Sequence, residues 1–88
     1  MEGIEDAIQA AYNDYLTAQA ELATSQKSVE LATQNYDVIS NRYNNGLALV
    51  TDMVDAANQR LDAQLRLVNS RINVLLNYYN LKFLSGTL

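Results

Sequence analysis

In the first half of the chain, apolar and small residues follow one another at alternating steps of four and three: Ile4, Ile8, Ala11, Tyr15, Ala18, Leu22, Ser25, Val29, Ala32, Tyr36, Ile39 and Tyr43. That is a heptad seam, and it predicts one long helix with a single packed face. One seam position carries Ile8, Tyr15, Leu22, Val29, Tyr36 and Tyr43, while the other carries mostly small residues, Ala11, Ala18, Ser25 and Ala32. Large side chains alternating with small ones let a partner helix come close, which suits long, shallow antiparallel packing. The second half carries two stripes, one through Val54, Ala57, Leu61, Leu65, Val68, Ile72, Leu75 and Tyr79, the other through Met53, Ala56, Ala63, Leu67, Val74, Tyr78 and Leu81. Burial on one side needs an apolar arc of only about 100°, so two stripes predict two neighbours, the first helix and another helix from outside the chain. The stripe through Leu67, Val74, Tyr78 and Leu81 is the one expected to stay exposed in the hairpin alone. Covering it predicts a dimeric four-helix bundle or a higher oligomer.

The one break between the two patterns is Tyr43-Asn44-Asn45-Gly46-Leu47, and no proline interrupts either arm. The chain is therefore expected to be all-α: a single antiparallel two-helix coiled-coil hairpin over residues 1–88, with helices at about 4–44 and 51–85 and a tip loop at 44–50. Asn44, Asn45 and Gly46 tolerate left-handed backbone, and Gly46 is the predicted helix stop. Thr51 is the predicted cap of the second helix, with Asp52 and Asp55 near its positive end. Asn45-Gly46 is also a strand-hairpin signal, but the heptads on both sides overrule it.

Composition narrows the function classes. A rod about 60 Å long and two helices thick has little interior, so 88 residues of which 49% are hydrophobic predict association or a larger parent. The net charge of −4 and six scattered Lys and Arg argue against nucleic acid. Acidic residues crowd the first arm, and folding back at Gly46 is expected to bring Glu21 near Arg71 and Asp14 near Lys82, helping to set the register at about 0–1 kcal/mol per exposed pair. Without histidine, cysteine or a glycine-rich phosphate loop there is no catalytic residue to nominate, and Asp52 with Asp55 lacks a dry cleft that would separate their acidities. Two carboxylates on one turn also fall short of the six or more oxygens calcium prefers, so neither metal nor cofactor is expected. No apolar run reaches the roughly 20 residues of a membrane-spanning helix. Met1-Glu2-Gly3 looks like a start joined to an excised segment, leaving location to a parent protein.

Tyr43-x-x-Gly46, the aliphatic loop around Leu47 and the helix start Asp52-Met53-Val54-Asp55-Ala56 resemble the periplasmic tip of the TolC-like outer-membrane efflux family. The tail Leu81-Lys82-Phe83-Leu84-Ser85-Gly86-Thr87-Leu88 resembles that family too, and the spacing matches one of its two repeated helical hairpins, the second in preference. The resemblance implies a homotrimeric channel of the outer membrane of a Gram-negative-type bacterium, serving multidrug export or type I secretion. Each protomer would give two hairpins to a periplasmic tunnel beneath a membrane β-barrel whose strands are absent from this sequence. It implies docking of a periplasmic adaptor, and through it an inner-membrane pump, at Asn45, Gly46 and Leu47. It also implies an entrance gate of Tyr43 and of acidic rings at Asp52 and Asp55. Those two aspartates are three apart and share a helix face, so three copies would make a negative ring that favours cations. Taken alone, both are ordinary acidic residues at a helix start, and Tyr43 is the last seam residue. Two positions depart from the pattern: Ala48 stands where a well-known member of the family has a gate arginine, and Leu49 where a hydroxyl residue often caps the second helix.

Two other readings share the heptads. The coiled-coil hairpin of a periplasmic adaptor resembles an Arg-Leu-Ser pattern at seven-residue steps, for which Arg42 and Leu49 fit but Ala56 does not. A freestanding structural or signalling coiled coil would explain the seam, but not the second stripe or the turn.

Overall fold

The computed structural model describes residues 2–86, apart from the side chain of Glu2. Met1 of the opening stretch and Thr87 and Leu88 of the tail motif lie outside the described residues. Two helices, α1 (Glu2–Asn44) and α2 (Val50–Ser85), fold back on each other as an antiparallel rod of 67 × 17 × 15 Å. Both begin slightly earlier than the periodicity predicts, α1 at Glu2 and α2 one residue upstream of Thr51. Heptad seams along both arms and the absence of proline sustain 43 and 36 residues of helix. Gly86 ends α2 in the left-handed region at φ 72°.

The interior is thin. Among the described residues the buried apolar ones are Ala11, Ala18, Ala56 and Ala63, and larger side chains such as Tyr15, Leu22, Val29, Tyr36, Leu67 and Val74 are half-buried along the same seam. The face that α2 turns toward α1 is the stripe through Met53, Ala56, Ala63, Leu67, Val74 and Leu81, whereas Val54, Leu61, Leu65, Val68, Ile72, Leu75 and Tyr79 point outward. This reverses the expectation that Leu67, Val74 and Leu81 would be left for another neighbour; of that group only Tyr78, at the seam's edge, is exposed. The reason is size. Ala56, Ala63 and Ser70 repeat at seven-residue steps as Ala11, Ala18 and Ser25 do on α1, so these two faces allow the closest approach. The other stripe, with leucine, valine and isoleucine at nearly every turn, would hold the axes apart.

Among the described residues, some contacts between the helices are specific rather than merely apolar. The Oγ atoms of Ser25 and Ser70 lie 2.8 Å apart in a hydroxyl pair, the Arg60 guanidinium carbon sits 4.0 Å above the centre of the Tyr36 ring, and the Tyr15 and Tyr78 rings are 6.0 Å apart at 47°. The anticipated pairs of Glu21 with Arg71 and Asp14 with Lys82 are not among the ion pairs of the described residues. Among the described residues, the ion pairs are Lys27–Glu30 at 3.6 Å and Asp62–Arg66 at 3.1 Å, each within one helix. Glu21 opens on the flank shared with Arg66, Asn69 and Ser70. Arg71, about 100° further round α2 than Ser70, turns to the other flank.

Close approach at the alanines makes a sharp prediction. Enlarging the seam by Ala63→Leu should cost about 1–3 kcal/mol in urea unfolding, whereas Ala23→Leu on the exposed face of α1 should stay within about 0.5 kcal/mol. Equal effects would place the alanines outside the packing contact.

Candidate functional site: the hairpin tip

The turn between α1 and α2 is built from backbone bonds. Gly46 lies at φ 75°, its N–H donates to the Tyr43 carbonyl at 3.0 Å, and the Leu47 N–H donates to the Arg42 carbonyl at 2.7 Å. These two bonds around a left-handed glycine form a Schellman motif, which makes Gly46 the helix stop its position predicted. Asn45 supports the turn from the side, with Nδ2 donating to the Asn41 carbonyl at 2.9 Å. A Cβ at Gly46 would meet nothing within 4 Å, so glycine is required there by its backbone angle and not by crowding.

The start of α2 differs from the expectation. Leu49 is the N-cap residue, with φ −82° and ψ 157°; Thr51 lies inside the helix and does not cap it. A leucine side chain cannot accept a hydrogen bond, so the stabilisation comes from the third helical residue instead. Asp52 Oδ2 accepts the Leu49 N–H at 3.2 Å, half of a capping box. The negative carboxylate also lies in the first turn, where the helix dipole favours it.

These local geometries fix where the candidate residues fall. Asn45, Gly46 and Leu47 form the extremity of the rod, with the Leu47 side chain 76% exposed. Leu49 and Val50 are exposed beside it, an apolar extension of the tip that the sequence signals only as an aliphatic loop. Gly46, Leu47, Ala48, Leu49 and Asp52 line a shallow cleft of about 190 Å³. Tyr43 stands at the last turn of α1 and is 40% exposed. Asp55 is exposed one turn beyond Asp52 and does not line the cleft. The tip thus brings Asp52 together with the apolar loop, and sets Tyr43 and Asp55 apart from the cleft. Arg60, the third seam position of α2 after Met53 and Ala56, escaped the sequence pattern because a charged residue breaks an apolar stripe. Its stacking on Tyr36 explains its place there.

The outer membrane efflux protein family model matches residues 6–87, both helices and the turn together. The chain belongs to the outer membrane efflux protein family. It is similar to outer membrane protein TolC of Salmonella enteritidis and to that of Escherichia coli strain K12, each 25% identical over 85 residues. The match covers 97% of this chain and 17% of either relative, so the chain spans about a sixth of their length. No solved structure matches it significantly. Family membership assigns the chain to an outer-membrane protein, as the tip and tail motifs implied. None of the described helices is long and apolar enough to cross a membrane, which says nothing of a β-barrel elsewhere in such a protein.

The cap assignment can be tested directly. Asp52→Ala should cost about 0.5–1 kcal/mol and raise amide exchange in the first turn of α2, while Thr51→Ala should change stability by less than about 0.5 kcal/mol. The reverse ranking would return the cap to Thr51.

Proposed function

We propose that this hairpin is a periplasmic tunnel segment of a trimeric efflux channel, the second of two repeats in each protomer, and that its tip docks a periplasmic adaptor. The observation that carries the reading is the family match running through both arms and the turn, at a tip whose Leu47 projects into solvent. An exposed leucine beside a left-handed glycine offers a partner both an apolar contact and accessible backbone. Asn45 completes that surface. The channel is a passive conduit, and energy comes from an inner-membrane pump reached through the adaptor.

Tyr43, Asp52 and Asp55 form the entrance in this reading. Three-fold symmetry multiplies each carboxylate into a ring, and a narrow negative ring concentrates cations while raising the barrier to anions. The bond from the Leu49 N–H holds the Asp52 carboxylate in place at the tip. Ala48 carries no charge, so no gate ion pair runs through that position. The adaptor-hairpin reading is disfavoured by more than the family match, because Ala56 is 2% exposed and a serine there would be hidden in the seam.

Binding of the hairpin to the tip of a cognate adaptor hairpin should weaken about tenfold or more on Leu47→Asp and on Gly46→Trp, with helicity unchanged by circular dichroism. Undiminished binding by both variants would remove the docking role. In the full-length parent channel, the double change Asp52→Asn and Asp55→Asn should lower the cation preference of single-channel currents in planar bilayers. An unchanged selectivity would take both residues out of the entrance.

A further inference from the structure

Glu21, on the flank it shares with Arg66, Asn69 and Asn73, belongs to a polar row along α1. Asp14, Glu21, Ser28, Asn35 and Arg42 follow one another at seven-residue steps, and all are exposed. Residues seven apart keep nearly the same face of a helix. Two rows of α2 run beside this one. Asp52, Gln59, Arg66 and Asn73 form the first, Asp55, Asp62 and Asn69 the second, and each of these is exposed. From Asp52 to Asn73, about 32 Å at about 1.5 Å per residue, neither row contains an apolar residue. Leu31 and Val38 stand one row further from α2 on α1, and Leu76 turns the second α2 row apolar only beyond Asn73.

The middle of this flank is hollow. Thr17, Ala20 and Thr24 are short, so an open cleft of about 500 Å³ lies between them and Arg66, Asn69 and Ser70, with Glu21 in its lining. Arg66 is held by Asp62 at 3.1 Å within α2, and Glu21 takes part in neither ion pair of the described residues. The hydroxyl pair of Ser25 and Ser70 fixes the register. Glu21, one turn before Ser25, is therefore level with about residue 74 of α2, roughly 33 Å from Asp52. The outward side of α2 is different in kind, with Val54, Leu61, Val68 and Ile72 each about half exposed. A water-filled bore is best lined by groups that hydrogen-bond to water, and an apolar stripe turned toward it would forfeit its burial.

Asp52 and Asp55 begin the two α2 rows, so the surface they meet at the tip is the surface those rows meet further along. We propose that this flank lines the conduit. Behind the Asp52 and Asp55 entrance the wall is then amide, hydroxyl and charged groups as far as Asn73, and the three copies of Glu21 form a second carboxylate ring about 33 Å behind the first. The inference rests on the tunnel reading above and adds which side of the hairpin faces the bore.

Cysteine labelling of the assembled full-length parent channel, in a cysteine-free background, tests the facing. Glu21 and Asn69 are exposed in the hairpin, so Glu21→Cys and Asn69→Cys leave the seam undisturbed. In the assembled channel each should react with a small charged thiol reagent and be shielded from a maleimide carried on a globular protein too large to enter the bore. After denaturation both reagents should react. Reaction with the bulky reagent in the assembled channel would put the flank on the outer wall, and reaction with neither would put it against another helix; either result overturns the proposal. Currents of the channel carrying Asp52→Asn and Asp55→Asn judge the tunnel reading separately. A lowered cation preference together with bulky labelling at Asn69→Cys would keep the tunnel and remove this facing, whereas the absence of any channel current would remove both.

Discussion

The close contact of small residues along the seam is the constraint on which the rest of this hairpin depends. A buried methyl contributes only about 0.8 kcal/mol, so Ala11, Ala18, Ala56 and Ala63 matter less for the area they bury than for the approach they permit. With the axes near each other, the half-buried tyrosines, leucines and valines on either side reach across and interlock. The same approach brings Ser25 and Ser70 within hydrogen-bonding distance and lays Arg60 on Tyr36. It also decides which way α2 is rotated about its own axis. Once Ala56 and Ala63 face inward, helical geometry turns the leucine and isoleucine stripe outward.

Rotation of α2 therefore links packing to function. A two-helix rod that, among its described residues, buries little more than alanines and leaves a broad apolar stripe in water is built to be completed by other helices. That agrees with its membership in the outer membrane efflux protein family and with its covering 17% of the TolC relatives. At the tip, the same economy holds on a smaller scale. Gly46, Asn45 and Asp52 satisfy the turn with one Schellman motif and two side-chain bonds, so Leu47, Leu49 and Val50 are left exposed where a partner would meet them.

Much of this was legible in the residues. The heptads and the single glycine break gave the two helices and their antiparallel order, because periodicity over forty residues outweighs any local propensity. Gly46 as helix stop followed from its freedom at positive φ. The facing of α2 was not legible from apolar count, since both stripes are apolar and the inward one is broken by Arg60 and Ser70. Residue size, not hydrophobicity, decides between them. The cap was misplaced for a related reason: Thr51 has the expected side chain, but Asp52 reaches back to Leu49 and starts the helix earlier. Charge spacing suggested a pair between Glu21 and Arg71 that does not form, because the two occupy opposite flanks of the rod.

The rotation of α2 can be measured without reference to any partner. In a chain with no cysteine of its own, the double variant Ser25→Cys and Ser70→Cys should close an intramolecular disulfide rapidly under mild oxidation, at the place where the two hydroxyls lie 2.8 Å apart. Ser25→Cys with Val68→Cys, which faces outward, should not. Rapid closure of the second pair and not the first would mean that α2 turns its leucine stripe toward α1, and would contradict the account.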